Sequence, residues 1–161
     1  MTEHPPEEVQ AAVDTYVALR RKIAAGDAPW TALADLFTDD VVYVDPAWGR
    51  VEGIDGLRQF LDESMRGLED WDFPIEYVAM AGDTVVIKWD QLLPGARPDG
   101  SRYRQSGIST LVYGGDGKFS YEEDLLNMAH VLEDLAASGW RPRAGFMAPP
   151  SDPDRNFARP G

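Results

Sequence analysis

The sequence predicts an α+β protein in which helices lie on one face of an antiparallel sheet. Apolar residues recur every three or four positions through much of residues 7–67, which is typical of amphipathic helices. Residues 73–127 instead form alternating β-type runs joined by glycine-containing turns. Helices followed by a run of hairpins is the element order of the α+β class.

The N-terminal part contains three predicted helices and one strand. In the first helix, Glu7–Ala25, the apolar residues share one face, and Gly26 ends it. Val41–Val44 is β-branched and aromatic, and it ends before Pro46 because a residue that precedes proline disfavours the helical conformation. The other two predicted helices are Asp27–Phe37 and Gly53–Gly67.

Four strands and a last helix complete the predicted domain. Glycine-aspartate and aspartate-glycine pairs at residues 82–83, 99–100 and 116–117 supply the positive φ angles that tight hairpins need. An antiparallel meander is therefore expected. Its strands are Phe73–Met80, Thr84–Leu93, Arg102–Tyr113 and Phe119 to about Asn127, and the helix is Met128–Ser138.

The length of 161 residues fits one domain, which we place at residues 1–140. Residues 141–161 are rich in proline and polar residues, so we expect a tail without packed structure that is free to lie on a partner.

The composition excludes several functions. A net charge of -13 and an isoelectric point near 4.4 disfavour nucleic acid and anionic membranes as partners. The chain has no cysteine, and its two histidines, His4 and His130, do not have metal-binding spacing, so no metal site is expected. The N-terminus has no secretory signal, and we expect a cytoplasmic protein.

Three polar pairs interrupt the apolar strands: Tyr43 with Asp45, Lys88 with Asp90, and Glu122 with Asp124. Residues two apart in a strand face the same side, so the three pairs can converge in one pocket. Alternatively, Val85, Ile87 and Trp89 form the buried face of their strand, which leaves Lys88 and Asp90 in solvent. Alternation alone does not decide between these arrangements.

Short motifs resemble the SnoaL-like polyketide cyclases and the limonene epoxide hydrolases of the nuclear transport factor 2-like superfamily. The resemblance covers about residues 8–135, and it is carried by Thr38-Asp-Asp-Val-Val-Tyr43, by Gly53 at a helix start and by Lys118-Phe-Ser-Tyr-Glu-Glu-Asp124. It implies a cone-shaped, curved sheet around a pocket for a hydrophobic small molecule. It also implies chemistry without a cofactor and a homodimer.

The resemblance to the epoxide hydrolases implies catalytic roles for Lys88, Asp90 and Asp124, with Tyr43 and Asp45 holding water. Lysine stands where that family has arginine, and it cannot fork between two carboxylates. Aspartate at 45 replaces asparagine and adds a third carboxylate, which raises the pKa of at least one acid.

From this resemblance we expect Asp124 to act as general base, protonated Asp90 to donate to an oxyanion, and Lys88 to balance charge. We expect the remaining site residues to bind substrate or water: Tyr43, Asp45, Trp48, Trp89, Tyr103 and Glu122.

Three functions remain open at this point. The first is a cofactor-independent enzyme, either a cyclase or isomerase or an epoxide hydrolase. The second is a non-catalytic domain that binds a small molecule or serves as an accessory, because one fold hosts many functions. The third is an interaction module in which the outer sheet face pairs two copies.

Overall fold

The computed structural model describes residues 3–160, which form three α-helices, one 3₁₀ helix and six strands. The α-helices are α1 (Pro6–Ala24), α2 (Gly53–Met65) and α3 (Met128–Ser138), and the 3₁₀ helix is Trp30–Leu36. The strands are β1 (Phe37–Asp45), β2 (Gly49–Glu52), β3 (Ile75–Ala81), β4 (Thr84–Leu92), β5 (Arg104–Gly115) and β6 (Lys118–Leu126).

The six strands form one curved, open sheet in the order β2-β1-β6-β5-β4-β3. The predicted α+β class and the meander β3–β6 are confirmed. One neighbouring pair differs from the expectation of a wholly antiparallel sheet, because β1 runs parallel to β6. A parallel pair requires a long crossover connection, and here the chain between β1 and β6 contains α2 and the rest of the meander.

Local sequence explains where the helices begin and end. In α1, Pro6 stands in the first turn, where a missing N–H costs nothing, and the acidic Glu7 and Glu8 face the positive end of the helix dipole. In α3, the Asn127 side chain accepts hydrogen bonds from the first backbone N–H groups, and Gly139 closes the helix in the left-handed conformation.

Two segments of the N-terminal part differ from their predictions. Of the predicted helix 27–37, only Trp30–Leu36 is helical, as a 3₁₀ helix, and Phe37 already belongs to β1. The short strand β2 was not predicted, because its four residues are too few to show an alternating pattern. It pairs with the end of β1 and continues directly into α2.

The main core lies between the concave face of the sheet and the helices. Along β4, Val85, Ile87 and Trp89 are buried against it, so their neighbours Lys88 and Asp90 point to the convex face. A second, smaller cluster on the convex face contains Val42, Val44 and Tyr121.

Residues 141–160 contain no helix or strand, yet they pack on the chain itself. The backbone N–H of Arg50 donates to the Asp154 carbonyl at 2.7 Å, and the Tyr121 hydroxyl donates to the Phe157 carbonyl at 3.3 Å. Gly49, at φ +82°, has no room for a side chain, because a Cβ would lie 2.5 Å from the Asp154 carbonyl oxygen. The segment is therefore docked, which differs from the free tail that its composition suggests.

Within residues 3–160, no helix has both the length and the apolar composition to cross a bilayer.

Candidate functional site

A cavity of about 370 Å³ opens between the concave sheet face, α3 and the C-terminal segment. Its wall is mostly apolar, and all five tryptophans of the chain contribute to it. The polar groups on the wall come from α1, β1, β4, β5 and β6. They are Tyr16, Arg20, Tyr43, Asp45, Gln91, Ser109, Glu122 and Asp124, with Ser64 from α2. An apolar cavity with a few convergent polar groups is the usual form of a small-molecule site.

Asp124 is the best-supported carboxylate of the cavity. One of its oxygens accepts a hydrogen bond from the Tyr43 hydroxyl at 2.5 Å, and the other accepts a bond from the Ser109 hydroxyl. The Trp89 indole N–H donates in turn to Ser109 Oγ at 2.8 Å, which orients the Ser109 proton towards Asp124. Burial raises the pKa of Asp124, whereas the bonds from Ser109 and Tyr43 act in the opposite direction.

Glu122 lies two residues earlier on β6 and is 2% exposed. Its Oε1 atom lies 3.2 Å from the Tyr16 hydroxyl and 3.3 Å from the Tyr43 hydroxyl, and its Oε2 atom has no partner among the described residues. Burial first, and then the neighbouring Asp124 charge, raise the pKa of Glu122 well above its ordinary value. Burial therefore favours the neutral form of Glu122.

The protons of this cluster can be assigned from the distances. Tyr43 has one hydroxyl proton, and it lies much closer to Asp124 than to Glu122, so it is donated to Asp124. A proton on Glu122 Oε1 can then be donated to the Tyr43 oxygen, while the same Glu122 atom accepts from Tyr16. With one proton shared by the two carboxyl groups, this arrangement leaves the negative charge on Asp124.

Both tyrosines stay protonated under these conditions. Burial, followed by the Asp124 charge, raises the pKa of Tyr43 well above 10.0, and burial also raises the pKa of Tyr16 well above that value. They therefore serve as neutral hydroxyl groups beside the acids.

Arg20 is the cation that lines the cavity. Its guanidinium donates to the Phe73 carbonyl at 2.9 Å and lies 5.1 Å from the centre of the Trp30 ring. Among the described residues, no carboxylate lies within 4.0 Å of it, so it acts on the acids from a distance. Its charge favours the ionised form of Asp124, and it lowers the pKa of that group relative to burial alone.

Asp45 stands at the end of β1, where its Oδ1 atom accepts the backbone N–H groups of Ala47 and Trp48 at 2.8 and 2.7 Å. Burial and the Asp124 charge raise the pKa of Asp45 to about 6, against the effect of these two bonds. Asp45 therefore shapes the turn after β1 and adds a second negative charge above pH 6.

A chain of amide and acid groups ties the cavity wall to α3. Gln91 donates to Gln105 at 2.9 Å, Gln105 donates to Asp134 at 2.6 Å, and Asp134 also pairs with Arg97. Gln91 and Gln105 are buried, so this chain holds the apolar face of α3 over the sheet. Among residues 3–160, no group of three or more histidine or acidic side chains is placed to hold a metal ion.

The structure brings six of the nine predicted site residues to the cavity, namely Tyr43, Asp45, Trp48, Trp89, Glu122 and Asp124. Lys88 and Asp90 lie on the convex face instead, where Lys88 pairs with Asp90 at 3.1 Å and Arg104 pairs with Asp90 at 2.8 Å. The expectation that Asp90 and Asp124 share one cavity is therefore wrong. The residues of β4 that face the cavity are Trp89 and Gln91. Each follows Lys88 or Asp90 by one position, and successive residues of a strand point to opposite faces of the sheet.

Tyr103 also lies outside the cavity lining. Its hydroxyl donates to the Ala137 carbonyl at 3.2 Å, and the Arg97 guanidinium lies 4.4 Å from the centre of its ring. Tyr103 fixes the end of α3 rather than contacting the site, so the expectation that it binds substrate is also corrected.

Four polar residues of the cavity were not predicted: Tyr16, Arg20, Gln91 and Ser109. A signal for the first two exists, because Tyr16 and Arg20 continue the apolar face of α1 formed by Val9, Val13 and Ile23. A charged residue on such a face needs a buried partner, which marks it as unusual. For Ser109, the only signal is its position on the inward side of β5.

The fold and cavity define a class of protein: a nuclear transport factor 2-like α+β fold with an apolar cavity on the concave side of the sheet. Residues 13–122 match the SnoaL-like domain family, and the chain belongs to that family. The predicted resemblance is thereby confirmed. A search of the curated proteins finds no match.

Solved structures show the same fold at low sequence identity. A protein from Jannaschia sp. CCS1 that carries the name SnoaL-like polyketide cyclase is 18% identical, with a TM-score of 0.65 over 85% of this chain and 99% of that chain. An LEH-like epoxide hydrolase from M. tuberculosis is 15% identical, with a TM-score of 0.59 over 82% and 92%. An NTF2-like protein from Burkholderia pseudomallei K96243 is 12% identical, with a TM-score of 0.61 over 78% and 95%.

Proposed function

We propose that this protein is a cofactor-independent enzyme that isomerises or cyclises a hydrophobic carbonyl compound by acid/base chemistry at Asp124. The observation that carries the proposal is a carboxylate in an apolar cavity, held by the hydroxyl groups of Tyr43 and Ser109, beside the buried acid Glu122. Such a pair of acids with separated proton affinities is the usual arrangement for proton transfer at neutral pH.

In the proposed reaction, Asp124 takes a proton from a carbon next to the carbonyl group. The C–H electron pair moves to the carbonyl and forms an enolate. In an isomerisation, the substrate has a double bond next to the enolate carbon; this bond shifts, and Asp124 returns the proton to its far carbon. In a cyclisation, the enolate carbon attacks a second carbonyl of the same molecule, and the proton goes to the new alkoxide. Neutral Glu122 keeps a further negative charge away from Asp124, and Tyr43 holds the base in place.

We favour isomerisation or cyclisation over epoxide hydrolysis. The resemblance to the epoxide hydrolases assigns the cation and the second acid beside the base to Lys88 and Asp90, and these two residues lie on the other face of the sheet. The name of the Jannaschia neighbour, a polyketide cyclase, is in accord with this choice.

A non-catalytic binding role is the second candidate. The observation in its favour is that no lysine, arginine or histidine nitrogen lies within 4.0 Å of the Glu122 or Asp124 carboxyl oxygens among the described residues. A binding protein would keep the apolar cavity and its affinity for ligands but would not move a proton.

Deuterium exchange separates these functions. 4-Cyclohexylcyclohexanone has acidic protons next to its carbonyl and an apolar body, and it is incubated with the protein in D₂O while NMR follows the loss of those protons. We expect exchange above the buffer rate, and a loss of about 100-fold or more in Asp124→Asn. Asp90→Asn is the matched control, because it removes a carboxylate from the convex face.

Exchange at the buffer rate together with measurable binding would support the non-catalytic role. A parallel incubation with limonene epoxide in ¹⁸O-labelled water tests the hydrolase: labelled diol formed by the wild type and not by Asp124→Asn would overturn the preference for carbonyl chemistry.

We also propose that the protein is a homodimer that pairs through the convex face. Tyr77, Lys88, Ile108 and Leu125 stand opposite one another in a row across β3, β4, β5 and β6, and three of these side chains are apolar and exposed. Light scattering should give the mass of a dimer for the wild type and of a monomer for Leu125→Lys.

A further inference from the structure

The C-terminal segment forms one wall of the cavity. Trp140, Phe146, Met147 and Pro149 all line it, although they follow the last helix. The Trp140 ring packs edge-on against Trp71 at 5.3 Å and against Phe146 at 5.4 Å between ring centres. The aromatic groups of this segment therefore meet those of the domain at the mouth of the cavity.

Close packing fixes the position of Phe146 on the domain. A Cβ on Gly67 would lie 3.0 Å from the Cβ of Phe146, so the segment approaches the backbone after α2 directly. Arg66 reaches the Met147 sulfur at 3.7 Å, and Arg143 lies 3.7 Å from Glu69. These side chains are on the surface, where ion pairs contribute little, so the apolar contacts hold the wall.

The contact between the wall and the domain leaves two hydrogen-bond donors unused. The indole N–H groups of Trp71 and Trp140 are shielded from solvent and have no acceptor among the described residues. A buried donor without a partner weakens the state that buries it. These two unpaired N–H groups therefore reduce the stability that the apolar contacts give to the packed wall.

The wall consists of residues 140–149, which follow the last helix and lie beyond the SnoaL-like match at residues 13–122; Asp124 also lies beyond that match. The groups that we assign to chemistry, by contrast, lie on α1 and the sheet. The two parts of the cavity therefore differ in chemistry: the sheet carries the acids, and the C-terminal segment contributes apolar groups.

We propose that residues 140–149 set the length of the ligand, with Phe146 and Met147 as the specificity-determining residues for elongated apolar carbonyl compounds. This proposal rests on the proposed function only where it says that the ligand has a carbonyl group. The limit on ligand length comes from the wall. Shortening Phe146 or Met147 opens space at the end of the cavity and lets a longer ligand enter.

Two ketones that differ only in length test this proposal. The short probe is 4-cyclohexylcyclohexanone, and the long probe is its pentyl-extended analogue, 4-(4-pentylcyclohexyl)cyclohexanone. Kd values for both are measured by tryptophan fluorescence, since every tryptophan lines the cavity. We expect the ratio of the long-probe Kd to the short-probe Kd to fall about 10-fold in Phe146→Ala. The reason is that adding or removing one apolar group in a pocket changes discrimination between two ligands by about 10-fold or more.

Phe157→Ala is the matched control, because Phe157 is in the same C-terminal segment but lies outside the cavity lining and is 52% exposed. Met147→Ala gives a second test if Phe146→Ala does not fold. An unchanged ratio in both cavity variants, or an equal weakening of both probes, would overturn the proposal. A changed ratio without any deuterium exchange would support the wall's role and reject the proposed reaction. A wild type that binds neither probe would overturn both.

Discussion

The hydroxyl group of Tyr43 lies 2.5 Å from Oδ2 of Asp124. Because this bond stabilises the carboxylate, its loss in Tyr43→Phe should raise the pKa of Asp124. We expect the deuterium-exchange rate to fall about 10-fold, the usual effect of one hydrogen bond to a charged group. The acid limb of the pH–rate profile should also move to higher pH.

Tyr77→Phe removes a hydroxyl from an exposed tyrosine on β3 and is the control for this change. A fall in rate without any movement of the acid limb would show that Tyr43 acts on the substrate and not through Asp124.

Glu122 should make the folded protein less stable as the pH rises. Its pKa is raised well above 4.5 in the folded state, so the folded protein holds a proton that the unfolded chain releases above about pH 4. The free energy of unfolding must therefore fall as the pH rises from about 4 towards the folded pKa. Glu122→Gln resembles the neutral acid and lacks this proton, so we expect its stability to fall less over the same range.

Urea unfolding at pH 5 and pH 8 measures this difference. Glu123→Gln, at the next position on β6, is the control and should keep the wild-type pH dependence. Equal pH dependence in wild type and Glu122→Gln would mean that Glu122 is ionised in the folded protein.

Asp45→Asn should stabilise the protein at alkaline pH. Burial raises the pKa of Asp45 to about 6 in the folded state from 3.8, so its ionisation costs stability between about pH 4 and pH 6 and the full cost is present above that range. Asparagine keeps an oxygen that can accept the N–H groups of Ala47 and Trp48. We expect the free energy of unfolding of Asp45→Asn to exceed that of the wild type by about 2 kcal/mol at pH 8 and to be nearly equal to it at pH 4. The gain at pH 8 is smaller than the full pKa shift implies, because the side chain is only partly buried.

Thermal unfolding across this pH range checks the prediction. A gain of equal size at pH 4 and pH 8 would point to a packing effect instead of a charge effect.

Gly107→Ala should disturb the site from the sheet. Gly107 stands directly opposite Trp89, and a Cβ would lie 2.7 Å from three carbons of the indole ring. The ring would have to move, and with it the N–H that orients Ser109 towards Asp124. We expect a loss of stability of about 1–3 kcal/mol and a lower exchange rate. Gly56→Ala, where a Cβ meets nothing within 4 Å, is the control.

Several parts of the structure could be predicted from local patterns. The last helix was predicted at its observed bounds, where Asn127 caps the start and Gly139 closes the end. The hairpin strands were predicted to within a few residues, since glycine at the turns marks where each strand stops. The pair Glu122 and Asp124 was placed on one side of its strand by the two-residue period of a strand.

The same period could not choose the inner side of β4. A strand's alternation is unchanged when its two faces are exchanged, so Lys88 with Asp90 and Trp89 with Gln91 were equally regular candidates. The resemblance favoured the first pair, and packing against the helices selected the second. The burial of Trp89 on the concave side moved the charged pair to the convex face.

The sequence by itself determined the class of the fold, the ends of the last helix, and the fact that Glu122 and Asp124 share one side of β6, because these depend on neighbours within a few residues. Only the tertiary structure decided which face of the sheet is concave, how Arg20 reaches the acids from α1, and that residues 140–149 close the cavity. These depend on contacts between residues far apart in the chain, for which no local pattern carries a signal.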